Sequence, residues 1–393
     1  MSEAGTADPA PATIEILRRL VGFDTVSARS NLELIRWVAD YLDGHGIASR
    51  LTYDEGGNKA NLFATIGPAE AGGGVILSGH TDVVPVEGQP WDSDPFALVE
   101  RDGKLYARGA ADMKSFIAIA LALVPEFKAR ALKRPIHFAF SFDEEVGCNG
   151  VHHLIEDLPQ GKARPRLVII GEPTLMAVAN AHKGSYVFRT TVTGLEAHSS
   201  TPQRGVNAIF AASEIIQFIA GLAAEARAAA EPESGFVPPY TSFNIGMIGG
   251  GTAHNIIARE CAFTWEFRTL PGRDPEAIRR RVEEFAAQDL LPRLRQVHAG
   301  ASIATEAVAL VPGLVPEPQS PAVDLARQLT GANDTTVIAF GTEAGIFQAA
   351  GIPAVICGPG SIDEAHKPNE FIALEQIAAG TAFQRRLADW AAR

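Results

Sequence analysis

Two histidines and five acidic residues of this chain share one kind of position, at or just after the end of a short apolar run. His80 and Asp82 follow GVILSG, Asp112 follows KLYARGAA, Glu144 and Glu145 follow IHFAFSFD, Glu172 follows RLVIIG, and His366 lies in the loop after PAVICG. Imidazoles and carboxylates without cysteine make a nitrogen and oxygen donor set that suits Zn2+ or a neighbouring divalent ion, with donors enough for two ions. An aspartate such as Asp112 can bridge two ions about 3.5 to 4 Å apart, an arrangement that clamps and polarises a substrate oxygen. The dipeptide Glu144-Glu145 then allows a division of labour. One carboxylate binds metal, and the other is free to move a proton from an attacking water to a leaving amine. Singly these groups are ordinary: a His-x-Asp pair at a strand end is usually a loop histidine with a hydrogen-bond partner, and a Glu-Glu pair usually faces solvent. Their shared position carries the inference.

The elements that must position them are strands. NLFATIG, GVILSG, IHFAFSF, RLVIIG, TTVIAFG and PAVICG are short apolar runs with little alternation, each closed by a polar or glycine-rich turn. Between them lie helical patterns, one from Met113 to Phe127 and one led by Ser30 and Glu33 in capping-box spacing and ending at Gly44. Runs of this kind predict strands buried on both faces, in a parallel or mixed sheet covered by helices. Open sheets of that α/β class place their ligands beyond the carboxyl ends of the strands, where the acidic residues and histidines stand. From residue 183 to 309 the order becomes strand, helix, strand, strand, helix, strand, with a helix start at the Asp274-Pro275 pair. This βαββαβ order predicts a ferredoxin-like α+β insert in the first frame. The glycine-rich stretch IGGGTAHN, Ile248 to Asn255, has neither a Lys-Ser/Thr ending nor GxGxxG spacing, so nucleotide binding is not indicated.

Composition narrows the partners. The 393 residues are 46% hydrophobic, enough for more than one domain and a large core. With 46 Asp and Glu against 34 Lys and Arg the formal charge is -12, which disfavours nucleic acid and tolerates a cationic small molecule. Three widely spaced cysteines, Cys148, Cys261 and Cys357, argue against a disulfide framework and for a reducing compartment. Residues 1–15 lack a basic segment followed by an apolar run, and no window reaches the ~18 consecutive apolar residues of a membrane span. The expectation is a cytoplasmic protein without a membrane partner.

The segments SGHTDVVPV, YARGAADMKS, SFDEEVGCNG, IIGEPT, GLEAHSSTPQRGVNAI, GGGTAHNIIA, WEFRTLPG and CGPGSIDEAHKPNEF occur together and in this order. In them the chain resembles, over nearly its whole length, the dinuclear zinc amidohydrolases and peptidases. That family includes acetylornithine deacetylase, succinyl-diaminopimelate desuccinylase, aminoacylase and the glutamate-releasing carboxypeptidases. The blocks around His80 and His366 are most similar to the acetylornithine deacetylase branch. The resemblance implies two zinc ions, for which Co2+ or another divalent metal can substitute. One would be held by His80, Asp112 and Glu172 and the other by Asp112, Glu145 and His366. It further implies Glu144 as general base and Asp82 as the carboxylate that orients His80. His198 resembles a lid histidine that reaches the partner subunit's site and donates to the oxyanion, and Asn255 and Arg268 resemble residues that hold the substrate's α-carboxylate.

Together these readings predict a metal-binding domain of residues 1–182 and 310–393 and a lid and dimerisation domain of residues 183–309, in a homodimer. The reaction expected is hydrolysis of an N-acyl amino acid, N2-acetyl-L-ornithine first among them, as in arginine biosynthesis. Another N-acyl amino acid amidohydrolase, a dipeptidase or a desuccinylase is the nearest alternative, and a non-catalytic metal-binding scaffold a distant one.

Overall fold

The structure, a computed structural model, describes residues 10–393; of residues 1–15, read above for a targeting segment, residues 1–9 lie outside the described residues. The chain forms two compact units. One comprises residues 10–181, Pro316–Thr336 and Thr342–Arg393; the other comprises His182–Val315 with Val337–Gly341. The second unit runs past the expected residue 309 for a local reason: its last strand extends to Val311, and His182 N–H then donates to Leu314 O at 3.3 Å.

The first unit is built on a mixed sheet. Its strands run, in spatial order, Ser49–Tyr53, Ala60–Ile66, Ile136–Ser141, Val75–His80, Leu167–Pro173, Ala354–Gly358 and Ala179–His182, with Thr336–Ile338 at the edge. The central four, from Ile136–Ser141 to Ala354–Gly358, are parallel to one another, so their carboxyl ends open on one side. These strands are buried at every position, which is why their sequences do not alternate. TTVIAFG contributes only three strand residues, Thr336–Ile338.

Helices cover the sheet. Ser115–Ala122, buried at every residue but the last, belongs to the same core as Leu77, Phe138 and Ile169. The expected single helix from Met113 to Phe127 is two, Ser115–Ala122 and Val124–Ala129, because Pro125 has no N–H to continue the ladder. The capping box also takes another form. Ser30 Oγ accepts from Leu32 N at 3.2 Å, while Asn31 at the cap position exchanges two hydrogen bonds with the Ala60 backbone, at 2.9 and 3.0 Å, and so ties the helix Leu32–Gly44 to a strand.

The second unit is the expected ferredoxin-like arrangement. Its four antiparallel strands lie in the order Ser242–Gly250, Glu260–Thr269, Gly184–Thr193, Ser302–Val311. Alternate residues of the two central strands are buried, and Phe188, Trp265 and Phe267 stack in the core. The helix Ala208–Ala228 is long and apolar enough, by length and composition, to cross a membrane, a property that a search for unbroken apolar runs does not register. Its Ala211, Ala212, Ile215, Ile219 and Leu222 are nevertheless buried in this core. Asp274 caps the second helix as its sequence suggests, accepting from Glu276 N at 2.9 Å.

Candidate metal centre

All the strand-end groups of the first unit meet. His80 ends the strand Val75–His80 and Glu172 lies near the end of Leu167–Pro173. Glu144 and Glu145 follow Ile136–Ser141, and His366 follows Ala354–Gly358. Asp112 comes from a turn, Ala110–Lys114, fully buried ahead of the covering helix. Ligand atoms of His80, Asp112 and Glu172 lie within 4.8 Å of one another, and so do those of Asp112, Glu145 and His366. Asp112 belongs to both groups and divides its oxygens between them: Oδ1 is 3.0 Å from His80 Nε2, and Oδ2 is 3.4 Å from His366 Nε2. Glu172 Oε1 lies 3.6 Å from His80 Nε2, and Glu145 Oε2 lies 3.0 Å from His366 Nε2. The first group is buried, whereas the His366 side chain is 53% exposed.

Burial without a cation makes this cluster unfavourable for carboxylates. Desolvation, followed by repulsion from Asp112 and Glu144, pushes Glu172 well above the ordinary carboxylate range, and burial likewise raises Glu144 and Glu145. The imidazoles carry the compensating charge. Hydrogen bonds to Asp112 and Glu145 push His366 up to about 10. Burial alone would lower His80, but Asp112 and Asp82 raise it well above its usual value. Burial alone would raise Asp112, but bonds from His366 and His80 hold it low. Two raised imidazoles thus flank the lowered Asp112, and this set of nitrogen and oxygen donors fits divalent metal.

Asp82 meets the His80 ring with both its main chain and its side chain. His80 Nδ1 is bonded to the Asp82 main-chain carbonyl at 2.9 Å, while the nearest carboxylate oxygen is 3.6 Å away. That carboxylate also accepts from Glu144 N at 3.1 Å, Glu145 N at 3.3 Å and Ser27 Oγ at 2.7 Å. One residue thus aims the imidazole through its carbonyl and holds the Glu144-Glu145 turn through its side chain. Glu144 itself is half-buried, outside both ligand groups, with Cys148 Sγ 3.6 Å from its Oε1.

Two further residues that shape the site lie inside the quoted segments without having been singled out as candidates. Glu370, 1% exposed, accepts from Ala111 N at 2.8 Å and Asp112 N at 3.1 Å with one oxygen, and from Gly109 N at 3.1 Å with the other. Lys114 Nζ is buried and bonded to Leu20 O and Phe23 O, tying the same turn to the end of the helix Ala10–Val21. Their one signal is the presence of charged residues in YARG, DMK and PNEF, segments otherwise rich in apolar or turn residues.

The second unit holds the other three candidates and brings together two. His198 is exposed, and its Nδ1 accepts from Ser200 N at 3.1 Å, so the neutral ring carries its hydrogen on Nε2. Asn255 is alongside: its carbonyl accepts from Ser199 N at 3.1 Å, and His198 bridges to Ile256. Both lie beyond the sheet end where Thr193 pairs with Glu260. Arg268 is at the opposite end, paired with Ser185. Strand spacing puts the two ends on the order of 26 Å apart. Within one copy of this unit Asn255 and Arg268 therefore do not meet at one point.

The sequence and the fold are both similar to those of known proteins. The model of peptidase family M20/M25/M40 matches residues 76–390. An acetylornithine deacetylase of Myxococcus xanthus is 35% identical over 382 residues, covering 94% of this chain and 95% of that protein. The fold is similar to that of the M20 metallo-carboxypeptidase Sso-CP2 of Sulfolobus solfataricus, with a TM-score of 0.76, 17% identity and full coverage of both chains, 100% and 100%. It is also similar to that of the di-peptidase Dug1p of Saccharomyces cerevisiae, with a TM-score of 0.75 and 16% identity over 97% of this chain and 96% of that one. With a candidate dinuclear metal site in one unit and an inserted α+β unit beside it in sequence, the chain belongs to peptidase family M20/M25/M40 and is a metal-dependent hydrolase.

Proposed function

We propose that the chain removes the acyl group from an N-acyl amino acid, with N2-acetyl-L-ornithine the preferred substrate and L-ornithine and acetate the products. The observation that carries the reaction type is the sharing of Asp112 between two ligand groups, with an unligated carboxylate, Glu144, beside them. The choice of substrate is supported by the identity with the Myxococcus xanthus deacetylase.

His80, Asp112 and Glu172 would hold one ion and Asp112, Glu145 and His366 the other, and zinc suits this set of imidazoles and carboxylates. When bound, the ions would polarise the scissile carbonyl and lower the pKa of an attacking water. The chain's own residues do the rest. Asp82 holds the Glu144 main chain, which supports a role for the Glu144 carboxylate in accepting the water's proton and passing it to the departing amine. His198, with its hydrogen on Nε2, is suited to donate to the oxyanion, and Arg268 to grip the α-carboxylate with two parallel hydrogen bonds.

The active form is proposed to be a homodimer in which His198 and Asn255 serve the site of the second copy. Two observations favour it. Arg268 and the His198-Asn255 pair lie at opposite ends of one sheet. The edge strand Ser242–Gly250 exposes Met247 and Ile248, and the adjoining helix start exposes Phe210, leaving unpaired backbone next to apolar side chains. The three cysteines are buried and free, in keeping with a reducing compartment such as the cytoplasm.

The test is kcat/KM of the zinc-loaded protein on N2-acetylornithine, N2-acetylmethionine and N-succinyl-diaminopimelate. Acetylornithine should lead. A succinyl preference would place the chain with the desuccinylases, and equal rates on the two acetyl substrates would make it a broad aminoacylase.

A further inference from the structure

The two ligand groups are held by different means. His80 and Glu172 lie on strands, fixed by the sheet. His366 stands on a loop, in a left-handed conformation with φ of 63°, and Asp112 on a turn with non-helical angles. Something other than a strand must set the distance between these two. One buried group touches the surroundings of both.

The strand Phe371–Ala373 pairs antiparallel with Lys104–Tyr106, which brings Glu370 beside Arg108: Ala107 N donates to Glu370 O at 3.1 Å. The Glu370 carboxylate then accepts three main-chain N–H groups of the Gly109–Asp112 turn, in which Gly109 has φ of 79°. Successive N–H groups turned to one point form an anion cradle, filled here by an internal carboxylate. Its charge is matched by Arg108, also 1% exposed, whose Nη1 is 2.8 Å from Glu370 Oε2. Arg108 reaches onward. Nη1 also donates to Lys367 O at 3.3 Å, and Nη2 donates to Gln89 Oε1 at 2.6 Å. Gln89 completes the circuit, because its Nε2 donates to His366 O at 3.0 Å while its Oε1 also accepts from Trp91 Nε1 at 3.1 Å. An unbroken series of hydrogen bonds therefore runs from the main chain of Asp112 to that of His366 without using either metal-facing side chain.

We propose that Gln89, Arg108 and Glu370 are positioning residues that fix His366 relative to Asp112, so that this frame governs how tightly the second ion is held. The proposal rests on the two-ion reading above and names what maintains it. Glu370 serves the turn, Arg108 compensates the buried charge, and Gln89 is the link to the loop histidine. Gln89 is the part that can be changed with least damage, since it is only half-buried. Gln89→Glu keeps an acceptor for Arg108 and Trp91 but cannot donate to His366 O; Gln89→Ala removes both functions.

The experiment titrates metal-free wild type, Gln89→Glu and Gln89→Ala with Zn2+ against a chromophoric chelator, and measures Tm of each metal-free protein. The expected result is two ions per wild-type chain, with the weaker step loosened ~10- to 100-fold in both variants, as is usual when a group behind a metal ligand is removed. The tighter step should change less than about threefold and the metal-free Tm by no more than about 2 °C, which separates positioning from general stability. Two ions in wild type with superimposable titrations of the variants would overturn the proposal alone. Loosening in Gln89→Ala but not in Gln89→Glu would overturn the link through His366. A wild-type chain that saturates with one ion would overturn the two-ion reading and the proposal with it.

Discussion

The two units treat their candidate groups in opposite ways. In the first, ligand residues drawn from strands, a turn and a loop converge into two groups that share Asp112, the ligand atoms of each group lying within 4.8 Å of one another. In the second, three residues expected to meet a substrate are split between the two ends of one sheet. The first unit thus holds every candidate metal ligand of one chain, whereas the second cannot supply its candidates jointly to one small molecule. The contrast teaches that charge clusters are assembled by the fold of a single unit, while substrate contacts can depend on how many copies of the chain are present.

The largest effect should come from breaking the first unit's chemistry without its metal binding. Glu144→Gln should lower kcat by ~10² to 10⁴, the usual contribution of a general acid and base, with ion content unchanged. Glu145→Gln should lose ions instead, and elemental analysis beside kinetics would show whether the two roles have been exchanged.

The contrast itself is tested by mixing inactive His198→Ala and Glu144→Gln dimers under conditions of subunit exchange. Heterodimers would contain one intact site, so activity should return to about a quarter of wild type after random exchange. Proven exchange without recovered activity would confine His198 to its own chain.

A smaller effect is expected at the opposite sheet end. Arg268→Ala should raise KM by ~10- to 100-fold, corresponding to loss of a charge-assisted contact of about 1.5 to 3 kcal/mol. An unchanged KM for substrates with a free α-carboxylate would remove Arg268 from the site.

The mildest test concerns protons. His366 is raised in the folded chain to about 10, so its protonated form favours the metal-free fold fully below its ordinary value near 6.5, and that contribution is lost as pH rises through about 10. Metal competes with this proton and with that of His80. Binding at pH 7 should therefore release protons, and affinity should tighten between pH 6 and 8. Calorimetry in buffers of different ionisation enthalpy measures the number; no release would mean the imidazoles are already neutral.

The metal centre was legible in the sequence because parallel strands put each terminal residue on one edge, so a His or Glu closing an apolar run announces its own location. Element order exposed the ferredoxin-like insert, and the Asp274-Pro275 pair marked the start of its second helix. What was not legible depends on partners distant in sequence. Glu370 is bonded to the main chain of residues more than 250 positions away, and a backbone N–H leaves no residue type to read. The family resemblance points to Asp82 beside the His80 ring, but not to the bonds its carboxylate accepts from the Glu144 and Glu145 main chain, contacts created by the pairing of His80 with Ser141. The division of Asn255 from Arg268 follows from strand register, which the motifs do not state.

The sharing of Asp112 is most directly tested by counting tightly bound ions in wild type, Glu172→Ala, His366→Ala and Asp112→Ala after saturation with Zn2+ and removal of excess. With one carboxylate serving both groups, wild type should retain two ions per chain, Glu172→Ala and His366→Ala one each, and Asp112→Ala none. An Asp112→Ala chain that keeps an ion at wild-type affinity, or a wild type that never exceeds one, would contradict a centre built around that residue.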